Sequence, residues 1–335
     1  MRRSVPLLLA GSVAAPLLAV AAPASASTAT ATTATAGYLK ELHDAATPTG
    51  AASASGWRLS MTATTPAGVV MTATDSFDVA TRTSREAVSV GRTTVDDIVA
   101  VTGRGSYEHG TILGSVELTD LALLHKSWVF SADSSADAAG EVKDSSPAGV
   151  LASVGQDGAV TSASRTTGSD GSHTYVVHSK NSLGTYTETY GLDPAGRLSH
   201  ASATGPGAGV TSATLDPAYG PQTIARPTPA QYATNTELAR VAAEIAALPT
   251  RVRASAGSIV TGAKAAAARA HRSALRPSDM VEGAAYARRH RTTTYVTVSI
   301  SAMRGGYRVS ATNPYTRKAV VKTVLLVRGG TARIV

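Results

Sequence analysis

Residues 55–79, SGWRLSMTATTPAGVVMTATDSFDV, alternate apolar and polar positions on both sides of a Thr-Thr-Pro-Ala-Gly turn. A period of two marks a half-buried strand. Trp57, Leu59, Met61 and Ala63 fall on one face, and Arg58, Ser60, Thr62 and Thr64 on the other. Past the turn, Met71, Ala73, Phe77 and Val79 continue the apolar series, and Asp75 breaks it. Short strands are also predicted over 87–91, 97–102 and 105–109, and in HTYVVHSK, GTYTETYGLD and GRLSHASATG. Asp-Pro-Ala-Gly at 193–196 supplies turn chemistry between the last two.

Helical spacing precedes this series once and interrupts it twice. GYLKELHDAA carries Tyr38, Leu39, Leu42 and Ala45 on one stripe. SVELTDLALLHKSW places Leu118, Leu121, Leu124 and His125 together. SSPAGVLASV offers a serine cap, Pro147 in the first turn, and Leu151. Beyond the Pro-rich ARPTPAQYATN (225–235), Thr234 and Glu237 have the spacing of a capping box, followed by Leu238, Val241, Ala242, Ile245 and Leu248. A second helix is predicted after Pro249, weakened by Gly257 and Gly262, and a third from Pro277 to His290. TTTYVTVSISAM and GYRVSATNP form a hairpin across Gly305-Gly306, and KAVVKTVLLV with TARIV completes a meander. This order predicts an α+β fold with an antiparallel sheet over short helices, then a smaller helix-then-β-meander domain.

Charge sharpens the division. Residues 27–235 hold 12 Lys and Arg against 19 Asp and Glu, a net −7, whereas 236–335 hold 17 against 4, a net +13. We therefore expect an acidic domain over 37–232 and a basic one over 233–335. Arg2 and Arg3, an apolar run and Ala24-Ser25-Ala26 read as a signal peptide over 1–26, and STATATTATA (27–36) as a disordered spacer. The protein is thus expected to be secreted and soluble outside the cytoplasm, with no transmembrane span. Cysteine is absent, which removes disulfides, thiolate metal sites and a lipid-modified anchor together.

Motifs for catalysis are scarce. There is no G-x-S-x-G elbow and no H-E-x-x-H, and His173 and His178 fall on opposite faces of a strand. GSIVTGAKA (257–265) fails as a phosphate loop because Lys264 is misplaced and no strand precedes it. SDGSH (169–173) reads as a hairpin turn, and Asp96-Asp97 as a solvated acidic turn. No cofactor or metal site is predicted, and the expectation is a protein that is not an enzyme. Arg288, Arg289 and Arg291 close a helix, where cations complement its dipole. They are also candidates for contact with an anionic envelope surface or polymer. Nucleic acid is disfavoured for lack of a reading motif.

The first domain resembles the LolA-like half-barrel superfamily, and within it the LppX/LprG-type lipoproteins. The likeness covers roughly 37–232 and rests on the order of GYLKELHDA, WRLSMTATTPAGVVMTATDSFDV, GSYEHG, SSPAGVLASV, SHTYVVHS and LDPAYGPQTIARPTPAQ. It implies a curved antiparallel half-barrel with an apolar cavity for acyl chains, in a lipid carrier. Trp57, Leu59, Met61, Met71, Leu113, Leu121 and Leu124 would line that cavity. The lipobox cysteine of the LppX/LprG type is missing, and the basic domain is not part of the pattern. Alternatives are a wall-interaction protein in which these side chains simply fill a core, and a hydrolase with a non-standard site.

Overall fold

The computed structural model describes residues 33–156, 158–206, 210–290 and 295–335. The leader read over 1–26, positions 27–32 and Arg291 lie outside them. The chain divides into two compact units. The first is the described part of Met1–Leu113 with Trp128–Tyr232, and the second is Gly114–Ser127 with Ala233–Val335. The segment Gly114–Ser127, expected in the acidic domain, belongs instead to the second unit.

The first unit is built on a large curved antiparallel sheet. Its strands in chain order are β1 (Gly56–Thr64), β2 (Val70–Asp78), β3 (Thr83–Val90), β4 (Thr93–Val101), β5 (Gly105–Gly110), β6 (Trp128–Ala132), β7 (Ala159–Thr167), β8 (His173–Asn181), β9 (Gly184–Leu192), β10 (Leu198–Thr204), β11 (Ser212–Tyr219) and the short edge strand β12 (Tyr232–Thr234), of which Tyr232 alone belongs to this unit. They lie in the order β12-β6-β5-β4-β3-β2-β1-β11-β10-β9-β8-β7. Two runs of hairpins therefore meet where β1 pairs with β11.

Helices α1 (Thr33–Asp44), α2 (Ala46–Ala52), α4 (Ala138–Glu141) and α5 (Pro147–Ala152) belong to this unit. Helix α1 starts inside the stretch read as a spacer: Thr35 is buried and its hydroxyl accepts the Ala163 N–H. Helix α5 begins as its sequence predicts, with Ser146 Oγ accepting the Gly149 N–H at 3.0 Å and Pro147 in the first turn.

The second unit holds α3 (Ser115–Leu124), α6 (Asn235–Ala246), α7 (Leu248–Arg269), α8 (Pro277–Arg289) and a four-stranded sheet of β13 (Ser299–Met303), β14 (Gly306–Thr312), β15 (Ala319–Val327) and β16 (Thr331–Ile334), paired in that order. Helix α3 ends at Leu124, because His125 takes a left-handed conformation as its cap. It is tied into the unit by Tyr315 Oη donating to Asp120 at 2.6 Å and by the Lys126–Glu237 ion pair at 2.8 Å. The α6 capping box forms in full. The glycines that weaken α7 have a packing role at one position: a Cβ on Gly262 would meet Tyr286 Cβ at 2.8 Å and Gly283 Cα at 3.0 Å. Val241, Val252, Ile259, Ala284, Val309 and Val324 form the centre of this core. Among the described residues no helix is long and apolar enough to cross a membrane.

Candidate functional site

The β1 alternation turns Trp57, Leu59 and Met61 to the helix-covered face of the large sheet. Their neighbours are Phe77, Asp75 and Ala73 on β2, and Tyr219, Pro217 and Leu215 on β11. The three side chains are 4%, 3% and 4% exposed. They share one cluster with Leu42 and Ala45 from the first helices and with Val150, Leu151 and Val154 in and after α5, so the protein's own side chains cover them. Met71 and Phe77 are half-buried at the margin of this cluster.

The cover is made of short helices. Where α2 and α5 adjoin, the contact is between small groups: a Cβ on Gly50 would lie 3.8 Å from Ala148 Cβ. A depression of about 490 Å³ opens beside this contact, lined by Ala46, Ala148 and Ala152 and by polar residues that include Lys143, Asp144 and Gln156. None of the seven residues expected to line a cavity lines this depression.

Those seven do not converge on one place. Leu113 is buried in the first unit but lies outside the Trp57 cluster. Leu121 and Leu124 belong to the second unit, where Leu124 packs against the core of helices and sheet. Helical spacing identifies an apolar stripe without saying which core it meets. At the end of α8, Arg289 is exposed, and Arg288, also exposed, donates to the Ile300 carbonyl at 3.0 Å.

Register brings together a second group on the same sheet face. Leu59, Asp75, Glu86, Ile98 and Glu108 stand in one row across β1 to β5. Asp96 lies beside Glu86 on the diagonal, opposite Val88. Asp75 is 7% exposed and its Oδ1 has no hydrogen-bond partner. Burial pushes its pKa up to about 6, against a smaller opposing effect of the Ser145 hydroxyl. Glu86 is pushed up to about 7 by burial and then by the charges of Asp75 and Asp96. Two carboxyls that exchange protons near neutral pH thus adjoin the apolar floor. Asp75 is visible in the sequence as an acid at an inward position; its alignment with Glu86 and Glu108 follows only from strand register.

Asp96 and Asp97 are buried strand residues, not a solvated turn. Asp97 accepts two hydrogen bonds from Arg85, at 2.9 and 2.7 Å, on the opposite face. Asp96 accepts the Thr111 hydroxyl at 2.8 Å and the Ile112 N–H at 2.7 Å. Among the described residues no group of three or more His, Cys, Asp or Glu is placed to hold a metal ion.

No family model matches the chain, and no curated protein does. Among solved structures it is similar to an uncharacterized conserved protein from Thermus thermophilus, at 11% identity and a TM-score of 0.32, over 59% of this chain and 99% of that one. A likeness of that size assigns neither a fold family nor an activity.

Proposed function

We propose that this is an exported, non-enzymatic carrier whose first unit takes up a hydrocarbon-bearing molecule. Its large sheet then serves as a half-barrel, as the resemblance to LolA-like proteins implies, and its basic second unit docks on an anionic surface of the envelope. The observation that carries the reading is that short helices cover Trp57, Leu59 and Met61, with a small-group contact of Gly50 and Ala148 between α2 and α5 and a depression that Ala148 also lines. Parting these two helices would admit a chain onto the apolar floor. Sixteen buried methylenes supply about 12 kcal/mol before ordering costs, which is on the scale of a domain's whole stability. Native mass spectrometry and lipid extraction of the purified protein, with fatty-acid and phospholipid probes, test the reading. A bound or acquired acyl species supports it, and a clean apo mass without probe uptake overturns it.

A second reading is favoured by the burial of the same three side chains. In it the sheet face is a closed core and the protein acts only through its basic unit, as a wall-interaction module. Salt-dependent retention on an anionic polymer with no lipid uptake is its signature.

A further inference from the structure

The four-stranded sheet of the second unit is two-faced. Tyr307, Val309, Ala311 and Val324 point into the core with the helices. The alternate positions point outward. Register aligns Met303, Gly306, Leu325 and Arg333 in one row, and Ser301, Arg308 and Thr323 in the next. Val321 lies on the same outer face, and Val335 continues it through its paired backbone bonds with Thr323. Met303, Val321 and Val335 are 44%, 37% and 60% exposed, and Arg308 and Arg333 are exposed beside them. A sheet's solvent face is normally polar. This one mixes bare hydrocarbon with guanidinium groups.

Its charge is also one-sided. Residues 295–335 contain seven Lys and Arg and neither Asp nor Glu. Among the described residues none of the seven pairs with a carboxylate. Capping a helix does not account for cations on a sheet face and in its turns.

We infer that this outer face docks on an anionic phospholipid bilayer, a proposal that rests on the docking half of the reading above. Cations alone would suit a polyanion, and exposed apolar side chains alone would suit a protein partner. The two interleaved match the bilayer interface, where long basic side chains reach headgroup phosphates while neighbouring apolar groups enter the acyl boundary. A nucleic-acid platform would present aromatic rings for stacking, but Tyr307, the aromatic residue of these strands, faces inward.

The test is co-sedimentation of the full chain with vesicles of phosphatidylglycerol and phosphatidylcholine, and with phosphatidylcholine alone. We expect binding to the first only, weakened by salt. Charge removal in R308Q/R333Q should weaken it about 25-fold, at about fivefold per cation. Met303→Ser with Leu325→Thr should remove the part of binding that survives high salt. R288Q/R289Q, at the helix end, should change it less than about twofold, and thermal melts confirm that each variant is folded. If R288Q/R289Q weakens binding as much as R308Q/R333Q, or if R308Q/R333Q has no effect, the sheet face is not the docking surface. If the unaltered protein ignores anionic vesicles but binds wall polymer or nucleic acid, the bilayer is the wrong partner. If it binds no polyanion at all, the docking reading itself fails.

Discussion

Asp75 in the first unit and Asp279 in the second are both buried, and their surroundings have opposite effects. Asp75 sits in a sheet row with Glu86, one oxygen without a partner, and its pKa rises to about 6. Asp279 opens α8, where Arg272 grips it with two hydrogen bonds at 2.8 and 2.7 Å and the Arg276 N–H adds a third. Those bonds, the Arg272 pair first, hold its carboxyl below the usual range. One unit therefore tolerates an uncompensated acid beside its apolar floor, and the other neutralises its own at a helix start. The first arrangement costs stability once the acid ionises, whereas the second contributes it.

The largest effect should come from Asp75→Asn. A folded pKa raised from 3.8 to about 6 means that the native state holds the extra proton. The associated stability is full below about pH 4 and is lost as pH rises through about 6, a difference of about 3 kcal/mol. Asp75→Asn should therefore raise stability by about that amount at pH 8 and change little at pH 4. Denaturant midpoints at both pH values measure it, and equal effects would mean that Asp75 is not a buried acid. The same substitution removes one of the charges acting on Glu86, whose pKa should fall from about 7, followed by NMR titration.

Gly283→Ala probes how closely the second unit is packed. A Cβ there would lie 2.3 Å from the Ile259 carbonyl oxygen and 2.8 Å from the Ala263 nitrogen, so α7 and α8 must move apart. A loss of about 2 kcal/mol is expected in chemical unfolding. Arg272→Gln breaks the Asp279 grip at a site where Arg272 keeps 24% of its side chain exposed, so the loss is smaller, on the order of 5 °C in Tm at pH 7. Because the Asp279 pKa is lowered, that contribution is present above the ordinary carboxylate range and disappears as pH falls below it. Arg272→Gln should thus be nearly neutral at pH 2, the opposite trend to Asp75. Gly257→Ala is the smallest change: nothing lies within 4 Å of its would-be Cβ, so helix propensity alone should add about 0.5–1 kcal/mol.

The parts of the fold legible in the sequence are those specified locally. The β1–β2 hairpin announces itself by period and turn, and the Thr234–Glu237 box by its spacing. Strand β7 escapes such a reading because AVTSASRTT is an exposed edge with no apolar alternation. Strand β11 escapes it because Pro217 argues for a loop. That proline is tolerated because β10 pairs only with residues 212–215, leaving the Pro217 side of that ladder open. The acidic row needs register between residues 75, 86 and 108, which no local window contains. The fate of Leu124 needs tertiary packing, since an apolar stripe does not name its partner.

The excursion of residues 114–127 out of the first unit ties the two halves of the chain together covalently. The backbone passes between them after residues 113, 127 and 232, so a cut at the last crossing frees residues 233–335 as a separate chain but leaves α3 of their own unit covalently on the first. On the ribosome, α3 emerges more than a hundred residues before the helices and strands it must join. The second unit therefore closes last, around a piece already held at both ends by its neighbour, and a fragment starting at residue 233 would be missing one of its own walls.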